Sequence, residues 1–182
     1  MKRSFALLIS MLFGAVFLVS TGPAAAAAPY CGITWGSLPE SHLVGSENAL
    51  IAKVRSGQHP CFDRLVIDVH GDVAGYDVRY VSPLYEDPTG AIIPLRGAAD
   101  LQVLATAPNG GPGIPAPYVP GDKRELADVT GYSTFRQVAF AGSFEGQTRF
   151  GLGVRARLPF RAFVLDGPDT GSRLVVDVAH HW

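Results

Sequence analysis

The sequence predicts an all-β protein: an antiparallel β-sandwich, or a partly closed barrel, of about eight to ten short strands with one long Gly/Pro loop. Three observations carry that reading. Apolar and polar residues alternate with a period of two in run after run, which is the signature of half-buried strands. The 182 residues include 21 Gly and 14 Pro, which break helices and punctuate the runs. One run also occurs twice, as Arg64-Leu65-Val66-Ile67-Asp68-Val69 and as Arg173-Leu174-Val175-Val176-Asp177-Val178, and each copy carries a fully aliphatic face fit for a core. At 47% hydrophobic residues the chain can build one core, and its length fits one domain.

The first segment is set apart from the fold. Lys2 and Arg3 precede a nearly unbroken apolar run, Phe5 to Val19, and then a small-residue tract, Ser20 to Ala28, with several Ala-x-Ala triplets. This is the layout of a secretory leader over residues 1–28. The apolar run falls short of the ~20 residues a membrane span needs. No span is expected after cleavage within Ala25 to Ala28. Removal carries away two positive charges and no acid, taking the formal charge from −1 to −3. That balance excludes the basic excess that phosphate backbones require, so no nucleic-acid partner is expected.

Two cysteines, Cys31 and Cys61, make an even pair. Outside the cytoplasm such a pair reads as a disulfide. Pro29-Tyr30 before Cys31 argues against lipidation there. Residues 29–46 lack periodicity and read as an irregular arm pinned by Cys31, with Trp35 as a hydrophobic plug. The main domain is expected over residues 47–182.

Leu50 to Arg55 fits the start of a helix or an edge strand with Ala52 and Val54 inward, and the strand is preferred. Phe62 to His70 is a strand with Leu65, Ile67 and Val69 in the core and Arg64, Val66, Asp68 and His70 on the other face. Gly75 to Val81 puts Tyr76, Val78 and Tyr80 on one face and Asp77, Arg79 and Val81 on the other. Asp87 to Gly90 is a turn by composition. Ala91 to Leu95 is a short extended piece, and Ala99 to Ala105 is a strand. Residues 108–121 are saturated with Gly and Pro and cannot make a ladder, so they form a surface loop. Asp122 to Ala127 could make one helical turn. Phe135 to Phe140 is a strand, and Ser143 to Thr148 is a hairpin connection. Arg149 to Arg157 alternates Phe150, Leu152, Val154 and Ala156 against Gly151, Gly153, Arg155 and Arg157. Phe160 to Leu165 and Arg173 to Val178 are the last strands. The two Arg-Leu-Val copies reflect either pseudo-symmetry of a sandwich or chance.

Chemistry is sparse. The sequence holds no Gly-x-Ser-x-Gly elbow, His-Glu-x-x-His, EF-hand loop or phosphate-binding Gly loop. None of the histidines pairs at a recognised metal spacing except His180 and His181, whose side chains diverge if the strand continues. No metal site, cofactor or catalytic residue is therefore assigned. Asp63, Asp68, Asp77, Glu145 and Asp177 are available as paired carboxylates, but sequence alone places no two of them together. Asp68 and Asp177 each follow an Arg by four residues on the same face and read as members of structural ion pairs. Arg55, Arg64, Arg79, Arg155 and Arg157, with Tyr76 and Tyr80, form the candidate ligand-binding set. Arginine forks suit carboxylates, and tyrosine faces suit sugars. The same residues serve equally well as a solvated face and as rim packing, and Tyr85 and Tyr118 share that ambiguity.

Several of these stretches together resemble the actinobacterial AMIN-like domain. They are Cys61 to Asp68, Gly75 to Tyr80, Pro94 to Gly97, Val154 to Leu165 and Ser172 to Val178. The resemblance runs from about residue 47 to the C-terminus. It implies a secreted or envelope-anchored β-sandwich related to the AMIN domains that accompany cell-wall amidases and secretins and help localise them to peptidoglycan. Such domains lack catalytic residues. It carries over no ligand residues, and no amidase or pore domain is attached here. The expectation is a secreted, non-enzymatic envelope protein that binds peptidoglycan or an envelope protein through an Arg- and Tyr-bearing sheet face. The alternatives are an envelope-acting hydrolase and a structural or inhibitor-like protein-binding module.

Overall fold

The computed structural model describes residues 29–43, 49–73, 75–167 and 170–182. The leader expected at 1–28 and the junction between arm and domain lie outside them. Apart from a single 3₁₀ turn at Tyr30–Gly32, the described residues hold no helix.

Eleven strands form the fold: β1 (Glu40–His42), β2 (Leu50–Gln58), β3 (Phe62–His70), β4 (Tyr76–Val81), β5 (Leu84–Tyr85), β6 (Ile92–Ile93), β7 (Ala99–Ala105), β8 (Phe135–Phe144), β9 (Gln147–Val154), β10 (Phe160–Asp166) and β11 (Gly171–Ala179). They build a five-stranded sheet in the order β1-β4-β7-β9-β8 and a four-stranded sheet in the order β10-β11-β3-β2, with β5 and β6 as a separate small hairpin. All pairings are antiparallel. The antiparallel sandwich expected from the alternation is therefore the observed fold.

The core lies between the two sheets. Leu65, Ile67, Leu174, Val176 and Val178 face Val78, Leu101, Val103, Phe135, Phe150, Leu152 and Val154. Each such side chain contributes about 1.5–3 kcal/mol when fully buried. The aliphatic faces of both repeated runs are core, as the alternation implied.

Several local expectations are corrected. In β2 a bulge between Ile51 and Lys53 shifts the phase, so Ile51 and Val54 point inward and Ala52 is only half-buried. One extra residue in a strand has that effect. Asp122 to Ala127 forms turns, not a helical turn. Asp122 caps the Arg124 N–H, and the segment bonds to the β8 edge through Leu126 N–H to Val138 O and Phe140 N–H to Lys123 O. The ladder outcompetes one isolated helical turn, which is costly to nucleate. The arm is not wholly irregular: β1 pairs with β4, and Gly36 bridges to Phe160 of β10. It thus straps the two sheets together along one side, and the Cys31–Cys61 disulfide fixes its start beside β3. β9 ends at Val154, which leaves Arg155 and Arg157 in the connection that follows.

The two sheets differ on their outer faces. Gly151 and Gly153 alternate with the core residues of β9. A Cβ at Gly151 would overlap Leu84 Cδ2, and one at Gly153 would overlap the Arg96 carbonyl oxygen. These glycines let the β5–β6 hairpin and the segment after it lie flat on the five-stranded sheet. A second small core of Leu84, Ile93, Ala139 and Ala141 forms there. Among the described residues, the outer face of the four-stranded sheet carries only Trp35 of the arm, against Phe62 and Arg161.

Candidate functional site

The register across the four-stranded sheet places its outward residues in rows. One row is Arg161, Asp177 and Arg64. The next is Phe163, Val175, Val66 and Arg55. The third is Leu165, Arg173, Asp68 and Lys53. The repeated runs occupy neighbouring antiparallel strands, with Val66 opposite Val175. The Arg of each copy therefore lies opposite the Asp of the other: Arg64 across from Asp177, and Arg173 across from Asp68. The two runs meet about the local two-fold that relates any antiparallel pair, here centred on Val66 and Val175.

Asp68 and Asp177 are both in ion pairs, but with arginines of neighbouring strands and not with the Arg four residues earlier on their own strand. Asp177 is fully buried and accepts hydrogen bonds from Arg64 Nε (2.6 Å) and Nη2 (2.9 Å), and from Arg161 Nε (2.8 Å). Asp68 accepts from Arg55 Nε (2.7 Å) and Nη2 (2.9 Å). Cross-strand neighbours are closer than residues four apart on one strand. The carboxylate hydrogen bonds hold the Arg64 and Arg55 guanidiniums above their already high ordinary range. Arg173 makes no ion pair with a described residue. It donates from Nη2 to the Asp166 carbonyl at 2.5 Å, and its buried Nε meets no acceptor.

Aromatic rings flank this row. The Arg64 guanidinium lies 5.1 Å from the Phe62 ring centroid, and Arg161 lies 5.0 Å from Phe163 and 5.5 Å from Trp35. Trp35 is half-buried. It packs on the outer side of the sheet against Phe62, and its indole N–H donates to the Tyr30 carbonyl. An indole must place its N–H on an acceptor, and the Tyr30 carbonyl supplies it there.

Between the first and third rows lies a shallow cavity of about 260 Å³ with Val66 and Val175 as its floor. Arg55, Arg64, Arg173 and His59 surround it, and no carboxylate of the described residues lines it. This is where the sheet register brings two of the candidate residues, Arg55 and Arg64, together.

The other candidates lie elsewhere. Tyr76 and Tyr80 point inward against the main core. The Tyr76 hydroxyl donates to the Ala162 carbonyl at 3.1 Å. The Tyr80 hydroxyl donates to the Leu158 carbonyl at 2.7 Å and accepts from the Leu158 N–H at 3.0 Å. Burial pushes the Tyr80 phenol up to about 12. Arg157 stacks on the Tyr80 ring at 4.8 Å, and the two border a second cavity of about 460 Å³ beside Asp100. Arg79 is on the other sheet, bonded to Asp77. Arg155 donates to the Ser133 and His180 carbonyls. The set is therefore spread over several regions.

Sequence reasoning omitted Arg161 and Arg173 from the candidate set. Both could have been found there: Arg161 alternates with Phe160 and Ala162 on one strand, and Arg173 is the repeat partner of Arg64.

No catalytic grouping emerges among the described residues. Asp68 and Asp177 are committed to arginines. Asp63 is buried, accepts from the Thr134 and Phe135 N–H groups, and lies 3.1 Å from His180 Nε2. No three His, Cys, Asp or Glu side chains gather as metal ligands among the described residues. No helix of the described residues is long and apolar enough to cross a membrane.

One covered sheet and one open, charged sheet define an all-β sandwich module. The chain belongs to the AMIN-like domain family, whose model matches residues 49–180. The match takes in β2 to β11 and leaves out β1 and Cys31. No curated protein and no solved structure matches the chain.

Proposed function

We propose that the protein is a secreted, non-catalytic module of the cell envelope that binds peptidoglycan through the outer face of its four-stranded sheet. Family membership supports an envelope-associated binding role, in line with the AMIN domains that accompany cell-wall amidases and secretins. The disulfide fits an oxidising, extracytoplasmic compartment. The leader-like residues 1–28 point the same way.

One observation carries the choice of face. Three guanidiniums surround an apolar floor on the outer face of the four-stranded sheet, beyond the edge where Trp35 packs. Charged forks beside aliphatic surface suit the stem peptides of a wall polymer.

The test is retention of the mature chain on purified sacculi, compared with Arg55→Gln/Arg173→Gln, which adds no carboxylate beside Asp68. Circular dichroism and thermal melting check that the variant is folded. Retention of the native chain and its loss in the variant are expected. Equal retention of the two, or none for the native chain, refutes the proposal.

A protein partner in the envelope is the second reading. It rests on an apolar groove of about 770 Å³ at Leu50, Pro108, Pro112, Ile114 and Phe144, in which Ile114 and Phe144 are about half exposed. Crosslinking in intact cells from a residue at position 114 separates it from wall binding.

A further inference from the structure

We infer that the cavity over Val66 and Val175 holds the free C-terminal carboxylate of a short peptide with small aliphatic side chains. The inference rests on the wall-binding reading and narrows it to one chemical group.

The charge inventory comes first. A guanidinium has five N–H donors. Arg64 spends Nε and Nη2 on Asp177, and Arg55 spends Nε and Nη2 on Asp68, so each keeps Nη1 uncommitted to a carboxylate. Arg173 has a single bond, to a backbone carbonyl, and no ion-pair partner among the described residues. With Arg161, which shares Asp177, four guanidiniums stand against Asp68 and Asp177, and neither carboxylate lines the cavity. A bound carboxylate offsets part of that excess and meets the uncommitted donors.

The floor then selects which anion. Val66 and Val175 are 6% and 1% exposed, and Leu165 stands at the wall with 39% exposed. The two valines are already closed off from water, so the apolar surface open to a ligand is that of Leu165, where methyl and methylene groups placed beside the charge bring a gain. Inorganic phosphate brings none. A peptide terminus built of alanine brings both the carboxylate and a methyl group on each residue. About 260 Å³ takes one or two small residues and not a sugar chain.

The experiment titrates ¹⁵N-labelled mature protein with N-acetyl-D-Ala-D-Ala, its L,L isomer, the C-terminal amide of the D,D form, and inorganic phosphate. Expected is saturable movement of the Val66, Val175 and Arg173 amides with the D,D acid. The amide should bind about tenfold more weakly, the size expected for one lost charge-assisted contact. Arg173→Gln should weaken the acid by a similar factor. A preference for D,D assigns the site to wall stem peptides, while a preference for L,L assigns it to protein C-termini and overturns the wall source. Equal binding of acid and amide overturns the carboxylate, equal shifts with phosphate overturn the peptide, and no shift overturns the site. Sacculus retention is measured in parallel. Retention without dipeptide binding refutes this inference and leaves the wall reading standing. Dipeptide binding without retention does the reverse.

Discussion

Asp177→Asn isolates the energetic centre of the open face. Asp177 lies on β11 between Arg161 of β10 and Arg64 of β3, in register with both. Its side chain is fully buried, while Arg64 and Arg161 are 24% and 32% exposed. The substitution keeps shape and volume but removes the only carboxylate that either arginine bonds among the described residues. Breaking a buried pair from one side costs about 3–5 kcal/mol. Partial exposure lets the freed guanidiniums regain some water, which places the expected loss near the lower end, about 3 kcal/mol. With a urea slope of about 2 kcal/mol/M the midpoint should fall by about 1.5 M at an unchanged slope. Arg161→Leu should cost less, about 1 kcal/mol, because Asp177 keeps its two bonds to Arg64. The assay is equilibrium urea unfolding of the mature, disulfide-intact chain, followed by tryptophan fluorescence. Midpoints for Asp177→Asn within about 0.3 M of the native chain would show that the row is surface decoration, and the reasoning would fail.

Tyr80→Phe should cost about 1–3 kcal/mol, because it strips both the N–H and the carbonyl of Leu158 of their partner. In an ultraviolet pH titration the native chain should hold one phenol un-ionised until about pH 12, and the variant should lack that late step. Glu40, whose carboxylate accepts from the Ala162 N–H, has its carboxyl raised above the usual 4.5, chiefly by burial. Stability linked to its protonation is present below pH 4.5 and lost as pH rises through the raised value. Glu40→Gln should therefore gain thermal stability over the native chain between pH 4 and pH 7, and an unchanged difference across that range would contradict the assignment. Gly153→Ala would drive a methyl into the Arg96 carbonyl. It should cost about 1–3 kcal/mol and raise amide exchange across residues 84–97 selectively.

The fold was largely legible because strand alternation is local. The inward residues of β3, β4, β7, β9 and β11 follow from a period of two. The site was less legible because it depends on pairing. Nothing near Arg64 in the chain reveals that its partner is Asp177, since the pair forms only once β3 and β11 are neighbours in one register. The same register turns two separate Arg-Leu-Val runs into one cavity. Tyr76 and Tyr80 looked like ligand surfaces because alternation places them on a common face, but alternation does not say which face is the core. The pattern Gly151-Leu152-Gly153 gave no sign of the hairpin that packs on it, because a glycine's need for space is set by what arrives from elsewhere in the chain.

The contrast between the two outer faces explains why one of them stays open. On the five-stranded sheet the outward positions include Ala139, Gly151 and Gly153, which bury without an electrostatic cost, and the β5–β6 hairpin covers them. On the four-stranded sheet the outward positions carry Arg55, Arg64, Arg161 and Arg173, while Asp68 and Asp177 are the carboxylates that pair with them. A covering segment would have to bury more guanidiniums than the face can neutralise, and a buried unpaired charge costs several kcal/mol. An apolar hairpin over the whole face is therefore disfavoured. Where the arm does meet the first row, Trp35 presents a ring face to Arg161, which a guanidinium accepts without a counter-charge.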